Sequence, residues 1–146
     1  MRKSKHLLTL AAILLIVGCG SRGVPPSGVS GAPAATAAVE RFLQLAAERD
    51  YSGMGWIFGT AEGPILDRDP VPQVEQRMYA LASLLEHDGF VIGEGLPVPG
   101  RMVDALRFQV LLSNRGENFQ VPFTVVQGAQ DRWFVEQIGV EAITER

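Results

Sequence analysis

The sequence predicts an α+β protein, with helices first and a run of antiparallel strands after them, in one domain behind a disposable N-terminal segment. Three observations support this. Across residues 33–87 apolar residues recur at intervals of three and four, the period of a helix with one buried stripe. From residue 90 the period falls to two, that of a half-buried strand. The strand-like stretches then follow one another with only short turn sequences between them, which puts the helices together on one face of a single sheet of about four strands.

Residues 33–50 form the first expected helix. Ala35, Ala38, Val39, Phe42, Leu45 and Ala46 share a stripe, with Glu40, Gln44 and Glu48 opposite. Pro33 suits a first turn, and Arg49 complements the negative end of the helix dipole. Residues 51–59 are expected to add one or two helical turns that carry Met54, Trp56, Ile57 and Phe58 into the core, and residues 59–64 a turn. Asp69 is the expected N-cap of the next helix, with Pro70 at its first position. Val71, Val74, Met78, Leu81 and Leu85 give that helix a narrow seam that ends near His87, ahead of Gly89.

Strands are expected at 90–92, 101–113, 119–126 and 132–143. Leu106, Phe108, Val110 and Leu112 alternate onto one face of the second, and Phe119, Val121, Phe123 and Val125 onto one face of the third. Residues 114–117 read as a turn. Pro122 has no N–H for a ladder, so its strand should meet an edge or a bulge there.

Ahead of the helices, Arg2, Lys3 and Lys5 precede an apolar run from Leu7 to Val17. A short basic region, a brief apolar stretch and small residues at its end describe a secretory signal; a spanning helix needs about 20 apolar residues. The closing Ile16-Val17-Gly18-Cys19 resembles the lipobox of bacterial lipoproteins. That resemblance implies that residues 1–18 are removed and that Cys19 is lipidated and anchors the chain to a membrane. No Asp follows the cysteine, which in Gram-negative lipoproteins points to the outer membrane, with the domain facing the periplasm. Residues 19–32 are rich in Gly, Ser and Pro and read as a tether with a reach of roughly 20 Å. Residues 33–146 are left as the domain.

Composition removes several classes of function. The chain has 13 Lys+Arg and 16 Asp+Glu; Arg2, Lys3 and Lys5 and no acid precede Cys19, so ten basic and 16 acidic groups lie beyond it, a net charge of −6. Such a surface argues against nucleic acid, whose phosphates call for Lys and Arg, and against a polybasic grip on anionic lipid. Cys19 is the only cysteine. Once it is acylated, no thiol remains for a disulfide, a nucleophile or a metal ligand. The second of two histidines, His87, cannot make a zinc shell alone. No cofactor and no metal site is expected.

Phe42-Leu43 before Arg49-Asp50-Tyr51, the segment Trp56-Ile57-Phe58-Gly59-Thr60, and Trp133-Phe134-Val135 opening the last strand together resemble the NTF2-like (SnoaL-like, cystatin-type cone) superfamily. Gly59-Thr60-Ala61-Glu62-Gly63-Pro64 and Val121-Pro122-Phe123-Thr124 also look like segments of small bacterial lipoproteins. The resemblance implies a curved sheet wrapped around helices. It also implies a module that binds a protein partner or a small apolar ligand without catalysis, or alternatively an isomerase or lyase with an acid in the cone. Cone folds pair through the outer sheet face, so a homodimer is a further implication.

The candidate site residues are few. In Glu86-His87-Asp88 one reading makes His87 a base oriented by a carboxylate; against it, neighbours in sequence do not share a helix face, and a His at a helix C-terminus is favoured by the dipole alone. Asp50 with Tyr51 stands where the superfamily's enzymes place an acid; a turn or cap Asp is the plainer alternative. Glu136 remains open between two faces. With Phe134 and Ile138 inward it is a buried carboxylate, paired to Arg107 or another strand arginine, or awaiting a ligand. With Trp133, Val135 and Gln137 inward it is solvated.

Overall fold

The computed structural model describes residues 30–144. Cys19, the expected signal segment and most of the expected tether lie outside the described residues. Among those residues no helix is long and apolar enough to cross a membrane.

Helix α1 spans Ala35–Glu48 and buries Ala35, Ala38, Val39, Phe42, Leu43, Leu45 and Ala46. This is the expected stripe, widened by Leu43. It ends on Arg49, whose positive φ of 59° lets its own N–H and that of Asp50 fold back onto the Ala46 and Leu45 carbonyls, respectively. Helix α2 follows at Tyr51–Ile57 and buries Met54 and Ile57. Trp56, expected in the core, is 38% exposed. In a helix of two turns it falls on the face away from Met54 and Ile57.

Two short strands, β1 (Gly59–Thr60) and β2 (Gly63–Pro64), make a small hairpin where a turn was expected. A 3-10 turn, Ile65–Asp67, leads to α3, Val71–Leu84. Pro70, not Asp69, occupies the N-cap, and no side chain caps it; the Asp69 carboxylate instead takes Arg77 at 3.2 Å. Along the expected seam Val74, Met78 and Leu85 are buried, Leu81 is half-buried and Val71 is exposed.

The sheet runs in the order β3-β4-β5-β6, all antiparallel, from β3 (Gly89–Pro97), β4 (Ala105–Asn114), β5 (Glu117–Gln127) and β6 (Trp133–Ile138). Phe108, Val110 and Leu112 of β4 face Val121, Phe123 and Val125 of β5 on the core side. Phe42 meets Phe123 edge-on at 6.4 Å and Phe58 at 6.0 Å, so α1 seals the sheet directly. The fold is thus α+β, with helices against a four-stranded antiparallel sheet, compatible with a cone.

Three strand boundaries differ from expectation. β3 is nine residues long, not three, because Gly93 and Gly95 hide its pattern and a bulge falls between Ile92 and Gly95. β4 begins at Ala105, since residues 99–104 form the loop from β3. β6 stops at Ile138, and Glu141–Thr144 forms a short helix, α4. The β4–β5 hairpin turns through Arg115 (φ 50°) and Gly116 (φ 83°), the two positive values of a type I′ turn.

Pro122 sits in a strand with neighbours on both sides, yet its missing donor disrupts nothing. Its carbonyl accepts the Gly139 N–H, so its nitrogen also faces β6, just where β6 has ended.

The domain begins earlier than residue 33. Ala32 exchanges both backbone hydrogen bonds with Trp133, and Arg132 donates to the carbonyls of Ser30 (2.9 Å) and Gly31 (2.5 Å). Gly31, at φ 68°, passes over the Phe134 ring where an added Cβ would be 2.9 Å away. Residues 30–32 therefore close over Phe134 and belong to the domain.

Candidate functional site

A groove opens where the C-terminal ends of α1 and α3 meet the start of α2. Its walls are Ala46, Ala47 and Arg49 from α1 and its cap, Tyr51 from α2, Tyr79, Ala82 and Ser83 from α3, and Leu85, Glu86 and His87 beyond α3. Its volume is 330 Å³, the lower end of the range of small-ligand sites. Small alanines make room, and two tyrosines supply the contact surface. Their rings stand edge-to-face, 5.6 Å apart at 88°. Tyr51 is half-buried and Tyr79 is 57% exposed, so the pair presents one anchored ring and one open ring.

Local sequence sets this geometry. Asp50 caps α2 by accepting the Gly53 N–H at 2.8 Å, which fixes the helix start and hence the direction of Tyr51. A Cβ on Gly53 would lie 2.5 Å from the Asp50 carboxylate, so the close cap depends on that glycine. Asp50 is exposed and does not line the groove.

Of Glu86-His87-Asp88, Glu86 and His87 line the groove and Asp88 does not. The Asp88 carboxylate takes the Arg115 N–H at 2.7 Å and braces the β4–β5 turn. His87 Nδ1 lies 2.8 Å from the Leu85 carbonyl. A carbonyl can only accept, so Nδ1 carries the proton. The ring also stacks edge-on against Phe90 at 5.4 Å. Among the described residues no carboxylate is hydrogen-bonded to the imidazole.

Glu136 occupies neither of its two expected settings. Phe123 pairs with Ile138 and Val125 with Val135, so Glu136 is the extra residue of a bulge. Val135 and Ile138 both join the core, three residues apart, while Phe134 is buried apart from it. The Glu136 partner is not Arg107 but Arg101, expected at the start of the second strand and found in the loop ahead of β4. Arg101, in the β3–β4 loop, places one Nη 2.8 Å from each carboxylate oxygen, with the two side chains 35% and 21% exposed. Hydrogen bonding to and the charge of Glu136 push the Arg101 guanidinium further above its ordinary pKa. Glu136, like Asp50, does not line the groove.

The tyrosine groove is not legible in the sequence, where Tyr79 lies outside the apolar seam of α3. Its spacing from the buried Met78 gives no hint that Tyr51, 28 positions away, meets it. Among the described residues no group of three or more His, Cys, Asp or Glu is placed to hold a metal ion. Compared with known protein families, with curated proteins and with solved structures, the chain matches none.

Proposed function

We propose that this is an exported, lipid-anchored protein of the bacterial envelope, held through Cys19 at the outer membrane with an NTF2-like domain facing the periplasm. The domain acts as a non-enzymatic binding module, and the tyrosine groove is its recognition site. One observation carries the recognition reading: an open aromatic ring, Tyr79, braced edge-on by a half-buried one, Tyr51, in a groove also lined by Ala46, Ala47 and Ala82. Exposed tyrosines contribute large contact area at small conformational cost. The occupant that fits is an apolar or aromatic group, from a partner protein's segment or a small ligand. Asp50 caps a helix and Glu136 holds an arginine, so the use of either as a base in an isomerase or lyase has no observation behind it.

Two experiments test the proposal. Cells grown with labelled palmitate should label the wild type and not Cys19→Ala; equal labelling overturns the anchor. A photo-crosslinking amino acid at Tyr79 should give a discrete adduct in the envelope, and one at exposed Gln120 on the sheet should give none. Matching behaviour at both positions removes the groove as the recognition site.

Self-association is a second reading, favoured by Val91 and Leu111, cross-strand neighbours that are 65% and 38% exposed, with Leu96 at 60% on the same strand as Val91. Light scattering that finds only monomer at high concentration sinks it.

A further inference from the structure

The structure brings together, at one end of the sheet, the point where the tether enters and the most exposed apolar residue of the domain. A single row of backbone pairings defines that end. Ala32 pairs with Trp133, Trp133 with Gln127, and the Gln127 N–H donates to the Asp104 carbonyl at 2.8 Å. With strands about 4.8 Å apart, tether entry and Asp104 lie within roughly 15 Å of each other. Two residues before Asp104 stands Met102, fully exposed, beside Val103 at 38%. At the same end the Trp56 carbonyl takes the Gly31 N–H, and its side chain is 38% exposed.

We infer that this end is a membrane-docking face, with the residue 99–104 loop inserting Met102 and Val103 among the acyl-chain ends of a bilayer and Trp56 lying at its headgroups. The inference rests on the proposed lipidation of Cys19 and goes beyond it, since an anchor alone leaves the domain free to tumble. The chain length limits that freedom. Ten residues separate Cys19 from Ser30, and a Gly/Ser/Pro-rich chain of that length has a reach of only roughly 20 Å. The 11-residue β5 alone is roughly 35 Å long, so the end bearing Ser30 stays close to the lipid while the Arg115 turn points away.

The chemistry of the loop favours apolar insertion over charge attraction. Arg101 beside Met102 is neutralised by Glu136, and Asp104, Asp131, Glu62 and Asp67 outnumber Arg132 at this end, so an anionic surface offers no net attraction. Exposed Trp and apolar side chains, by contrast, suit the boundary of a zwitterionic bilayer. Because Met102 touches nothing in the fold, its exposure is not needed for packing.

The test uses the full lipidated chain. An acylated Cys19 has no free thiol, so Met102→Cys and, as the far-end control, Arg115→Cys each offer one thiol to an environment-sensitive fluorophore. The proteins are placed in vesicles of phosphatidylcholine and phosphatidylethanolamine with and without bromine-labelled acyl chains. The fluorophore at 102 should shift to the blue and be quenched by bromine, and that at 115 should do neither. One reactive thiol per chain with the label at 102 unquenched, or with both positions quenched alike, overturns the docking face and leaves the anchor standing. Two reactive thiols in each variant show Cys19 to be unacylated, and then the anchor and this inference fall together.

Discussion

β4 and β6 are both built from branched and aromatic residues and both feed the same core, yet they obey different rules. β4 pairs with β5 without interruption from Ala105↔Val126 to Asn114↔Glu117, and its side chains alternate as the pleat dictates. β6 admits one extra residue, Glu136, after which the alternation resumes a step out of phase. A regular ladder makes every residue's face depend on every other, because a one-residue slip turns a whole strand inside out. A bulge breaks that dependence. β6 can send Val135 and Ile138 inward while Glu136 reaches Arg101 outside the ladder.

The sharpest way to break this contrast is by deletion. Removing Val110 from β4 sends either Phe108 or Leu112 to the outer face, and both are now buried. Losing burial of one such side chain costs about 2–5 kcal/mol. Losing several at once rivals the whole stability of a domain, about 5–15 kcal/mol. The Val110 deletion should show no cooperative thermal transition. Deleting Glu136 leaves Val135, Gln137 and Ile138 opposite Val125, Thr124 and Phe123 as they are now, so this variant should still melt cooperatively. If both deletions abolish the transition, the bulge is not separable from the ladder.

The same contrast holds between the two faces of β5. Phe123 is fully buried against Phe42, so Phe123→Ala should destabilise by about 3–5 kcal/mol in urea unfolding. Exposed Gln120 to Ala should stay within about 0.5 kcal/mol. A comparable loss at both positions means that the outer face is covered in solution.

What the sequence disclosed follows from this division. The core stripe of α1 and the inward sets of β4 and β5 were legible because nothing interrupts their periods. β3 was cut short in the reading because Gly93 and Gly95 carry no side chain to mark a face, and its bulge adds a second irregularity. Glu136 could not be placed because a bulge has no composition of its own. The groove was illegible for a different reason: it joins Tyr51 to Tyr79 through the packing of α2 on α3, a long-range relation that no local period records. Asp50 is legible in the sequence as either a base or a cap, and the Gly53 N–H fixes it as a cap.

That assignment gives the next largest effect. Asp50→Ala should cost about 1 kcal/mol, as loss of an N-cap does, and Asp50→Asn should recover most of it, because an amide oxygen also accepts the Gly53 N–H. Chemical denaturation of the three proteins decides the matter. If Asn is as damaging as Ala, the charge matters and capping is not the explanation.

The smallest expected effect belongs to the residue that most divided the sequence reading. Were Glu136 a deeply buried carboxylate, Glu136→Gln would be among the worst substitutions in the domain. The ion pair with Arg101 is instead partly solvated and anchored on a loop, so side-chain entropy and water offset most of its attraction. Glu136→Gln and Arg101→Ala should each shift the melting temperature only slightly, and the double variant should lose less than the sum, which marks direct coupling. At about 1 M salt the coupling should vanish, since the Debye length is then about 3 Å. The arginine's raised pKa fixes the alkaline behaviour: its contribution is complete below the ordinary guanidinium pKa and is lost only above it, so the coupling should hold from about pH 7 to about pH 10. A large, salt-insensitive loss in Glu136→Gln would return Glu136 to the interior and undo the contrast between β4 and β6.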